Sequence, residues 1–186
     1  MSLLSAWDRW WLITINVRFH HPEVVYGMAL LTRVGALSTV LALTALSVVM
    51  VWRRQRRDAV AGGLGVILAL ALAWWLKEII QRPRPAEAIS GLFVAAGAQG
   101  PAFPSGHATG ACAVAALVSV LWPRGRLLWW TVALGVAWSR VVLGVHYPSD
   151  SVGGALLGSA TVFATVGVGR WWAARSSSSR PPHVNP

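Results

Sequence analysis

Residues 59–76, AVAGGLGVILALALAWWL, form an apolar run without a charged side chain. A helix that crosses a membrane requires about 20 predominantly apolar residues. Further stretches have similar character: residues 24–52, where Arg33 is the only charged side chain, 105–122, 127–143, where only Arg140 is charged, and 151–169. The sequence therefore predicts an all-α, polytopic membrane helix bundle with about five transmembrane helices, built as one domain over residues 1–175.

The composition supports a membrane protein and narrows its partners. Of the 186 residues, 55% are hydrophobic and 12% are charged, and the mean hydropathy is +0.56. These values exclude a solvated, disordered or collagen-like chain. The net charge of +10 fits nucleic acid, an anionic membrane surface or an anionic substrate. Because the positive residues form short clusters between apolar runs, and not one polar face, we expect no nucleic-acid partner.

The two termini differ from the apolar centre of the chain. Residues 3–19 carry apolar side chains at helical spacing with polar side chains between them, which predicts an interfacial amphipathic helix. A short sixth span is the alternative for this segment. Residues 176–186 are rich in serine and proline, and we predict a disordered cytoplasmic tail there.

Clusters of arginine between the apolar stretches predict the orientation of the bundle. They follow the first, third and fifth spans: Arg53, Arg54, Arg56 and Arg57, then Arg124 and Arg126, then Arg170, Arg175 and Arg180. Alternating spans place all three clusters on the same side of the membrane, and their positive charge makes that side cytoplasmic. The segments after the second and fourth spans then face the extracytoplasmic side.

Those outer segments contain the titratable residues that an apolar bundle does not need. The same alternation of helices gathers one lysine, three arginines, two histidines and an aspartate on one face: Lys77, Arg82, Arg84, Arg140, His107, His146 and Asp150. Between them, residues 88–98 are apolar but too short to cross a membrane, so we expect a buried or re-entrant lid.

Lys77, Arg84 and Arg140 are candidates for binding a phosphate group. Arginine offers phosphate a planar fork of donors, and lysine offers a point charge. The alternative is that these side chains extend toward lipid headgroups, which is our interpretation of the isolated Arg33.

Ser105 and Gly106 open a predicted helix, where unpaired backbone N–H groups can bind an anion. Ser105 is a natural N-cap, and glycine lets an oxyanion approach the backbone closely. The alternative is a capped helix in which Gly106 and Gly110 serve packing. Gly154 and Gly158 have the same spacing, and there we favour the packing interpretation.

His146 and Asp150 are four residues apart at the predicted start of the last span. On one helical turn, the carboxylate would hold one imidazole nitrogen and leave the other free as a nucleophile. A capping aspartate beside an interfacial histidine is the alternative. His107, His146 and Asp150 could also supply three metal ligands, but the surrounding cations would repel a divalent ion, so we expect no metal.

Three motifs, in this order, resemble the signature of the type 2 phosphatidic acid phosphatase (PAP2) family. They are Lys77-x6-Arg84-Pro85, Pro104-Ser105-Gly106-His107 and Ser139-Arg140-x5-His146-x3-Asp150. The resemblance implies that His146 forms a phosphohistidine, that Asp150 orients it, and that His107 acts as general acid and then as base. The residues implied to hold the phosphoryl oxygens are Lys77, Arg84, Ser105, Gly106 through its backbone, and Arg140. No metal and no cofactor are implied.

The resemblance also implies a function, an integral membrane phosphatase that removes a terminal phosphate from a lipid phosphate or diphosphate at the outer face. We favour undecaprenyl diphosphate by similarity to small bacterial members, with phosphatidic acid and phosphatidylglycerophosphate as alternatives. A non-catalytic lipid-headgroup-binding or transport protein is the alternative of another class. His146 with Asp150 distinguishes the two classes, because anion capture requires no oriented nucleophile.

Overall fold

The computed structural model describes residues 3–94 and 99–178. In this part the protein is all-helical, with 84% helix and no β-strand, as predicted. The helices are α1 (Leu3–Arg18), α2 (Pro22–Leu31), α3 (Leu37–Ile80), α4 (Pro85–Ala88), α5 (Gly106–Leu121), α6 (Arg126–Val142) and α7 (Pro148–Ser178). Short 3-10 turns occupy Thr32–Gly35 and Pro123–Gly125.

Helix α3 folds back on itself at Gln55, the one residue inside it with non-helical angles (φ −135°, ψ 36°). A Cβ atom added to Gly63 would lie 3.2 Å from Val48, whereas residues 48 and 63 of a straight helix would be about 22 Å apart. The two arms therefore run antiparallel. A boundary between spans was predicted here, and the structure makes it with a single residue.

Helix α5 forms the centre of the bundle, packed between α3, α6 and α7. Most of its residues are small and buried, among them Ala113 and Ala116. A Cβ added to Gly158 of α7 would meet the Thr109 carbonyl oxygen, so the two helices pack backbone against backbone. Close approach through small residues is typical of helices in a membrane. The packing interpretation of Gly154 and Gly158 is confirmed.

The first predicted span, residues 24–52, is wrong as one continuous helix. Helix α2 ends at Leu31, the 3-10 turn follows, and extended backbone at Ala36 (φ −65°, ψ 146°) precedes α3. A Cβ added to Gly35 would lie 2.9 Å from the His107 carbonyl oxygen and 2.6 Å from Val136. This break allows the turn to pack directly against α5 and α6. A hydropathy profile does not reveal the break, because the residues on both sides of it are apolar.

The predicted N-terminal helix is confirmed as α1, Leu3–Arg18. The face of α1 that packs against the rest of the protein is partly polar. Asp8 and Asn16 are buried together with Leu12 and Ile15. Its tryptophans lie outside, with Trp10 59% exposed. The amphipathic pattern therefore predicted the helix correctly, but Asp8 and Asn16 hydrogen-bond within the protein, whereas Arg18 is exposed.

Exposed tryptophans mark both ends of the bundle. Trp74 and Trp75 lie near the end of α3, and Trp171 and Trp172 lie near the end of α7. Between them the outer surface is apolar, with Leu156 64% exposed. Aromatic belts that flank an apolar surface are typical of membrane proteins. The chain is a membrane protein, in agreement with its composition.

Two helical stretches of the described chain are long and apolar enough to cross a membrane: Leu37–Ala88, which contains α3, and Pro148–Ser176. Helix α5 is apolar but shorter. The count of about five spans stays a prediction. The prediction of disorder from residue 176 is wrong for residues 176–178, because α7 continues to Ser178 and the Ser176 hydroxyl donates to the Trp172 carbonyl. Residues 179–186 lie outside the described residues.

The arginine clusters meet at one end of the bundle, as alternation of the helices predicted. The Gln55 side chain donates to the Leu121 carbonyl (3.1 Å), which ties the α3 bend to the end of α5. Arg170 of α7 forms an ion pair with Asp58 (2.7 Å). We call this the basic end, defined by Arg53, Arg54, Arg56, Arg57, Arg124, Arg126, Arg170 and Arg175.

Candidate active site

The other end of the bundle, the site end, brings the predicted site residues together: Lys77, Arg84, Ser105, Gly106, His107, Arg140, His146 and Asp150. The turn that joins α6 to α7 carries His146 into this end, and the first turn of α7 carries Asp150. Both are buried, at 2% and 0% exposure. The backbone N–H of Ser105 donates to the Asp150 carbonyl (3.0 Å), so the start of α5 and the start of α7 are held against each other.

His146 stands between a carboxylate and a cation. Its Nδ1 atom lies 3.5 Å from Oδ2 of Asp150, an ion-pair distance at which no hydrogen bond forms. Its Nε2 atom lies 3.4 Å from Nη1 of Arg84. The same Asp150 oxygen accepts from the Tyr147 backbone N–H (2.9 Å), so Asp150 caps the turn as well as facing the ring. The predicted pairing of His146 with Asp150 and its capping alternative therefore coexist.

Burial lowers the pKa of His146 to about 4, because an imidazolium loses its hydration inside the protein. Asp150 opposes this shift, and Arg84 and Arg140 add to it. The ring is therefore neutral near neutral pH. With the proton on Nδ1 toward Asp150, the lone pair is on Nε2 and points to the side of Arg84.

Carbonyl oxygens fix the cations at the site. Arg84 is 8% exposed and donates to the carbonyls of Gln99, Gly100 and Val145, at 2.9, 2.7 and 2.9 Å. Lys77 donates to the Pro101 carbonyl (2.6 Å). These contacts direct both side chains to backbone oxygens of the protein, and their assignment to phosphate binding stays a prediction. Arg33, by contrast, is exposed, as expected for a residue outside the site.

Arg140 approaches the same place from α6 and is 5% exposed. Its Nη1 atom donates to the Thr32 hydroxyl (2.8 Å) in the turn that breaks the first predicted span. His107 lies in the first turn of α5, where it interacts electrostatically with Arg140, His146, Arg84 and Lys77. The two histidines and three cations thus share one cluster.

Ser105 occupies the N-cap position of α5, as predicted, but its hydroxyl makes no capping hydrogen bond. In the described part of the chain, four buried side-chain atoms have no hydrogen-bond partner: Oγ of Ser105, Nε of Arg140, Nδ1 of His146 and Oγ of Ser151. Three of them belong to predicted site residues. Buried polar groups of this kind are costly unless a ligand satisfies them.

Gly106 faces open space, since a Cβ added there would meet no atom within 4 Å. Gly110, one turn later, would meet Val40 at 2.8 Å. Only Gly110 therefore fits the packing alternative. At Gly106 the protein itself leaves room for a side chain, and glycine there keeps the backbone N–H groups accessible.

A second layer of polar residues lies behind the site; the sequence placed Arg82 and Asp150 at this end but did not predict their link to Asp8 and Ser149. Arg82 bridges Asp8 and Asp150, with distances of 2.7 and 2.6 Å, and its guanidinium lies over the Tyr147 ring at 4.2 Å. Ser149 donates through its backbone N–H to Asp8 (2.9 Å). The one signal in the sequence was Asp8 itself, an acidic residue among tryptophans in a chain with few acids.

The segment predicted as a lid, residues 88–98, is described to residue 94. Ile89 and Leu92 pack against the buried residues of α1 and Tyr147. The Asn16 side chain forms two hydrogen bonds with the Phe93 backbone, at 2.8 and 2.9 Å. Only Ile89 and Leu92 are half-buried, whereas the other described residues of the segment are exposed, with Phe93 54% exposed, so the prediction of a buried segment is wrong for residues 88–94. Re-entry into the membrane stays a prediction, and residues 95–98 lie outside the described residues.

No group of three histidine, cysteine or acidic side chains with metal-binding geometry occurs among the described residues. His107, His146 and Asp150 are instead accompanied by Lys77 and the site arginines, which is the chemistry of an anion site. The expectation that no metal is needed stays a prediction.

Known proteins resemble this chain over most of its length. A model of the PAP2 superfamily matches residues 58–173. The decaprenylphosphoryl-5-phosphoribose phosphatase of Mycobacterium tuberculosis is 36% identical over 155 residues, covering 83% of this chain and 78% of that protein. The lipid A 1-phosphatase of Rhizobium johnstonii is 36% identical over 114 residues, covering 55% and 47%.

The crystal structure of a transmembrane PAP2 type phosphatidylglycerolphosphate phosphatase from Bacillus subtilis matches with a TM-score of 0.78 and 25% identity, covering 92% of this chain and 88% of that one. Each of these relatives is a phosphatase, and this chain is an enzyme of the same class, a phosphoric ester or diphosphate hydrolase. The chain belongs to the PAP2 superfamily.

Proposed function

We propose that this protein removes a terminal phosphate from a lipid phosphate or diphosphate at the extracytoplasmic membrane face, through a phosphohistidine at His146. One observation carries the proposal: Nε2 of the buried His146 lies 3.4 Å from Arg84 while Nδ1 faces Asp150 at 3.5 Å. A neutral imidazole held on one side by a carboxylate presents its other nitrogen as a nucleophile.

In the first step, the Nε2 lone pair of His146 forms a bond to phosphorus, and the bond from phosphorus to the lipid oxygen breaks. The leaving oxygen keeps the electron pair and takes a proton from His107. In the second step, a water oxygen bonds to phosphorus and the P–N bond returns its electron pair to Nε2. His107 accepts the water proton, and inorganic phosphate leaves.

The cations stabilise the charge that redistributes over the phosphoryl oxygens in both steps. Arg84 and Lys77 are already fixed by carbonyl oxygens, so they need little reorganisation when charge develops. The Ser105 hydroxyl and Nε of Arg140 are buried and unpartnered among the described residues, and they supply two further donors. Gly106 adds its accessible backbone N–H. This donor set requires no metal ion.

For the substrate, we propose a polyprenyl diphosphate such as undecaprenyl diphosphate. A phosphate on a polyprenyl chain stands at the membrane surface while its hydrocarbon stays in the bilayer, which matches a site at one end of an apolar bundle. A second candidate is a polyprenyl-linked sugar phosphate, favoured by the similarity to the M. tuberculosis phosphatase. Phosphatidylglycerophosphate, favoured by the similarity to the B. subtilis phosphatase, and phosphatidic acid are the phospholipid alternatives.

The purified protein tests the reaction directly. We expect release of inorganic phosphate from lipid phosphates in the presence of EDTA, with a polyprenyl diphosphate turned over fastest in a panel that includes the sugar phosphate and both phospholipids. His146→Ala should lower kcat by at least about 10³-fold, because it removes the nucleophile. Asp58→Asn, which breaks an ion pair at the basic end, is the matched control. Full activity of His146→Ala, or turnover that requires a divalent ion, would contradict the mechanism.

The sidedness has a separate test. Ala86 and Arg54 are exposed at the site end and the basic end, respectively. In intact cells, a membrane-impermeant thiol reagent should label Ala86→Cys, and it should label Arg54→Cys only after permeabilisation. Cys112 is buried and gives the background level. The reverse labelling pattern would place the site on the cytoplasmic side.

A further inference from the structure

The N-terminal helix reaches the site through one residue, Asp8, which is fully buried. Its Oδ2 atom accepts from Nη2 of Arg82 (2.7 Å), and the Ser149 hydroxyl donates to the same oxygen. Its Oδ1 atom accepts from the Ser149 backbone N–H (2.9 Å). Both carboxylate oxygens of Asp8 therefore accept hydrogen bonds. The donors are Ser149, in the first turn of α7, and Arg82, which also contacts Asp150 there.

Arg82 shares its charge between two carboxylates. Its Nη1 atom donates to Oδ1 of Asp150 (2.6 Å) and to the Ser149 hydroxyl (2.7 Å), while Nη2 serves Asp8. The Tyr147 ring covers its face at 4.2 Å. Asp8 and Asp150 are thus joined by a single guanidinium, and also by the backbone that connects Ser149 to Asp150.

The arrangement affects His146 in two ways. Asp150 faces Nδ1 of His146 with one oxygen and Arg82 with the other, so the position of Arg82 fixes the rotation of that carboxylate. Asp8 also neutralises part of the Arg82 charge. Without Asp8, Arg82 would act on Asp150 alone and weaken the negative potential that supports the histidine as it gains positive character.

We propose that Asp8 is a positioning residue for the hydrolysis: through Arg82 and Ser149 it orients Asp150, and so His146, although it lies on a helix outside the signature motifs. This inference rests on the proposed role of His146. It makes α1 part of the catalytic unit, in addition to its contact with the membrane. Asp8 does not face the phosphate-binding cations, so it should affect the chemical step and leave substrate binding unchanged.

Asp8→Asn keeps the size of the side chain and removes its charge. We expect kcat to fall by about 10- to 100-fold with KM changed less than about twofold, because a misoriented nucleophile lowers rate at constant binding. Formation of the phosphoenzyme in a single turnover should slow by the same factor. Asp58→Asn is the matched control. It makes the same change of side chain in the Asp58–Arg170 ion pair at the basic end, and it should leave kcat and KM unchanged.

Stability and rescue separate positioning from folding. Asp8→Glu restores the charge and should recover part of the kcat that Asp8→Asn loses. Ser149→Ala, which removes the two hydrogen bonds of the hydroxyl, to Asp8 and from Arg82, and leaves the Asp8–Arg82 pair, should lower kcat by about fivefold to 100-fold, the net value of two hydrogen bonds. This variant decides the matter if Asp8→Asn does not fold in detergent.

An unchanged kcat in folded Asp8→Asn, or in Ser149→Ala when Asp8→Asn does not fold, would overturn the inference, as would a loss confined to KM. If His146→Ala is inactive and Asp8→Asn is fully active, only the role of Asp8 fails. If His146→Ala is itself active, the proposed function fails first, and the role of Asp8 fails with it.

Discussion

The two ends of the bundle both carry several arginines, but the protein holds them differently. At the site end, Arg84 and Arg140 are buried, and carbonyl or hydroxyl oxygens fix them. At the basic end, Arg53 and Arg54 are exposed. Arg170 there has a 60% exposed side chain even within its ion pair. Arginine therefore occupies fixed, buried positions at the site end and contributes exposed positive charge at the basic end.

Burial of the arginines at the site end costs free energy that exposure at the basic end does not. Burying a cation near others of like charge is unfavourable unless hydrogen bonds and an anion compensate. Carbonyl oxygens supply part of that compensation at Arg84, and a bound phosphate would supply the rest. An exposed arginine at the basic end keeps its hydration, and its role in orientation stays a prediction. Mutations at the site end should therefore lower activity, and mutations at the basic end should leave activity nearly unchanged.

The largest expected difference compares Arg140→Ala and Lys77→Ala with Arg54→Ala. We expect each of the first two to fold and to lose about 10²- to 10³-fold in kcat/KM, because each removes charge aimed at the phosphoryl oxygens. Arg54→Ala should stay within about twofold, since exposed charges contribute little. Steady-state phosphate release measures all three. Unchanged activity in both site-end variants would favour the alternative that Lys77 and Arg140 extend toward lipid headgroups.

A smaller effect is expected for two glycines that both face open space, Gly106 at the site end and Gly167 in α7. Neither substitution by alanine meets a protein atom, so both variants should keep the melting temperature of the unchanged protein. Gly106→Ala should lose about tenfold in activity, because its Cβ enters the space next to the anion. Gly167→Ala should lose none. Equal activity of the two variants would show that Gly106 has no contact with substrate.

Thr32→Val tests the break in the first predicted span. It removes the acceptor for Nη1 of Arg140 and keeps the side-chain shape. We expect activity to fall by about threefold to tenfold, the net value of one hydrogen bond. A kinetic comparison with Arg140→Ala and the double variant measures the coupling. If the two losses simply multiply, Thr32 does not act through Arg140.

The smallest effect belongs to the Asp58–Arg170 pair at the basic end. Asp58→Asn should lower the free energy of unfolding by less than about 1 kcal/mol, as for other largely exposed ion pairs, and should leave kcat unchanged. Unfolding in detergent with a denaturant measures the first quantity. A large loss of stability would mean that the basic end holds the α3 bend against α7 more strongly than its exposure indicates.

The sequence predicted which residues meet at one end of the bundle better than it predicted the path of the chain. Alternation of apolar stretches was enough to place Lys77, Arg84, Arg140 and His146 at one end, because that grouping depends only on which segments cross. The break at residues 32–35 and the one-residue bend at Gln55 depend on local contacts that hydropathy averages out.

Asp8 was missed for another reason. In an amphipathic sequence, a buried polar residue cannot be told from a solvated one until its partners are known, and the partners of Asp8 lie far along the chain. Thr32 presents the same difficulty, since its contact is with Arg140. Residues that contact a candidate site through long-range hydrogen bonds carry no local pattern, whereas those predicted to bind the phosphate fall in recognisable motifs.

Trapping the phosphoenzyme is the most direct test of the proposed mechanism. The protein is mixed with a lipid phosphate labelled in its terminal phosphoryl group and quenched in alkali, where phosphohistidine survives. The labelled peptide is then identified by mass spectrometry. We predict label on His146, released as inorganic phosphate on acidification and absent from His146→Ala. Label on another residue, or continued turnover by His146→Ala, would contradict the mechanism.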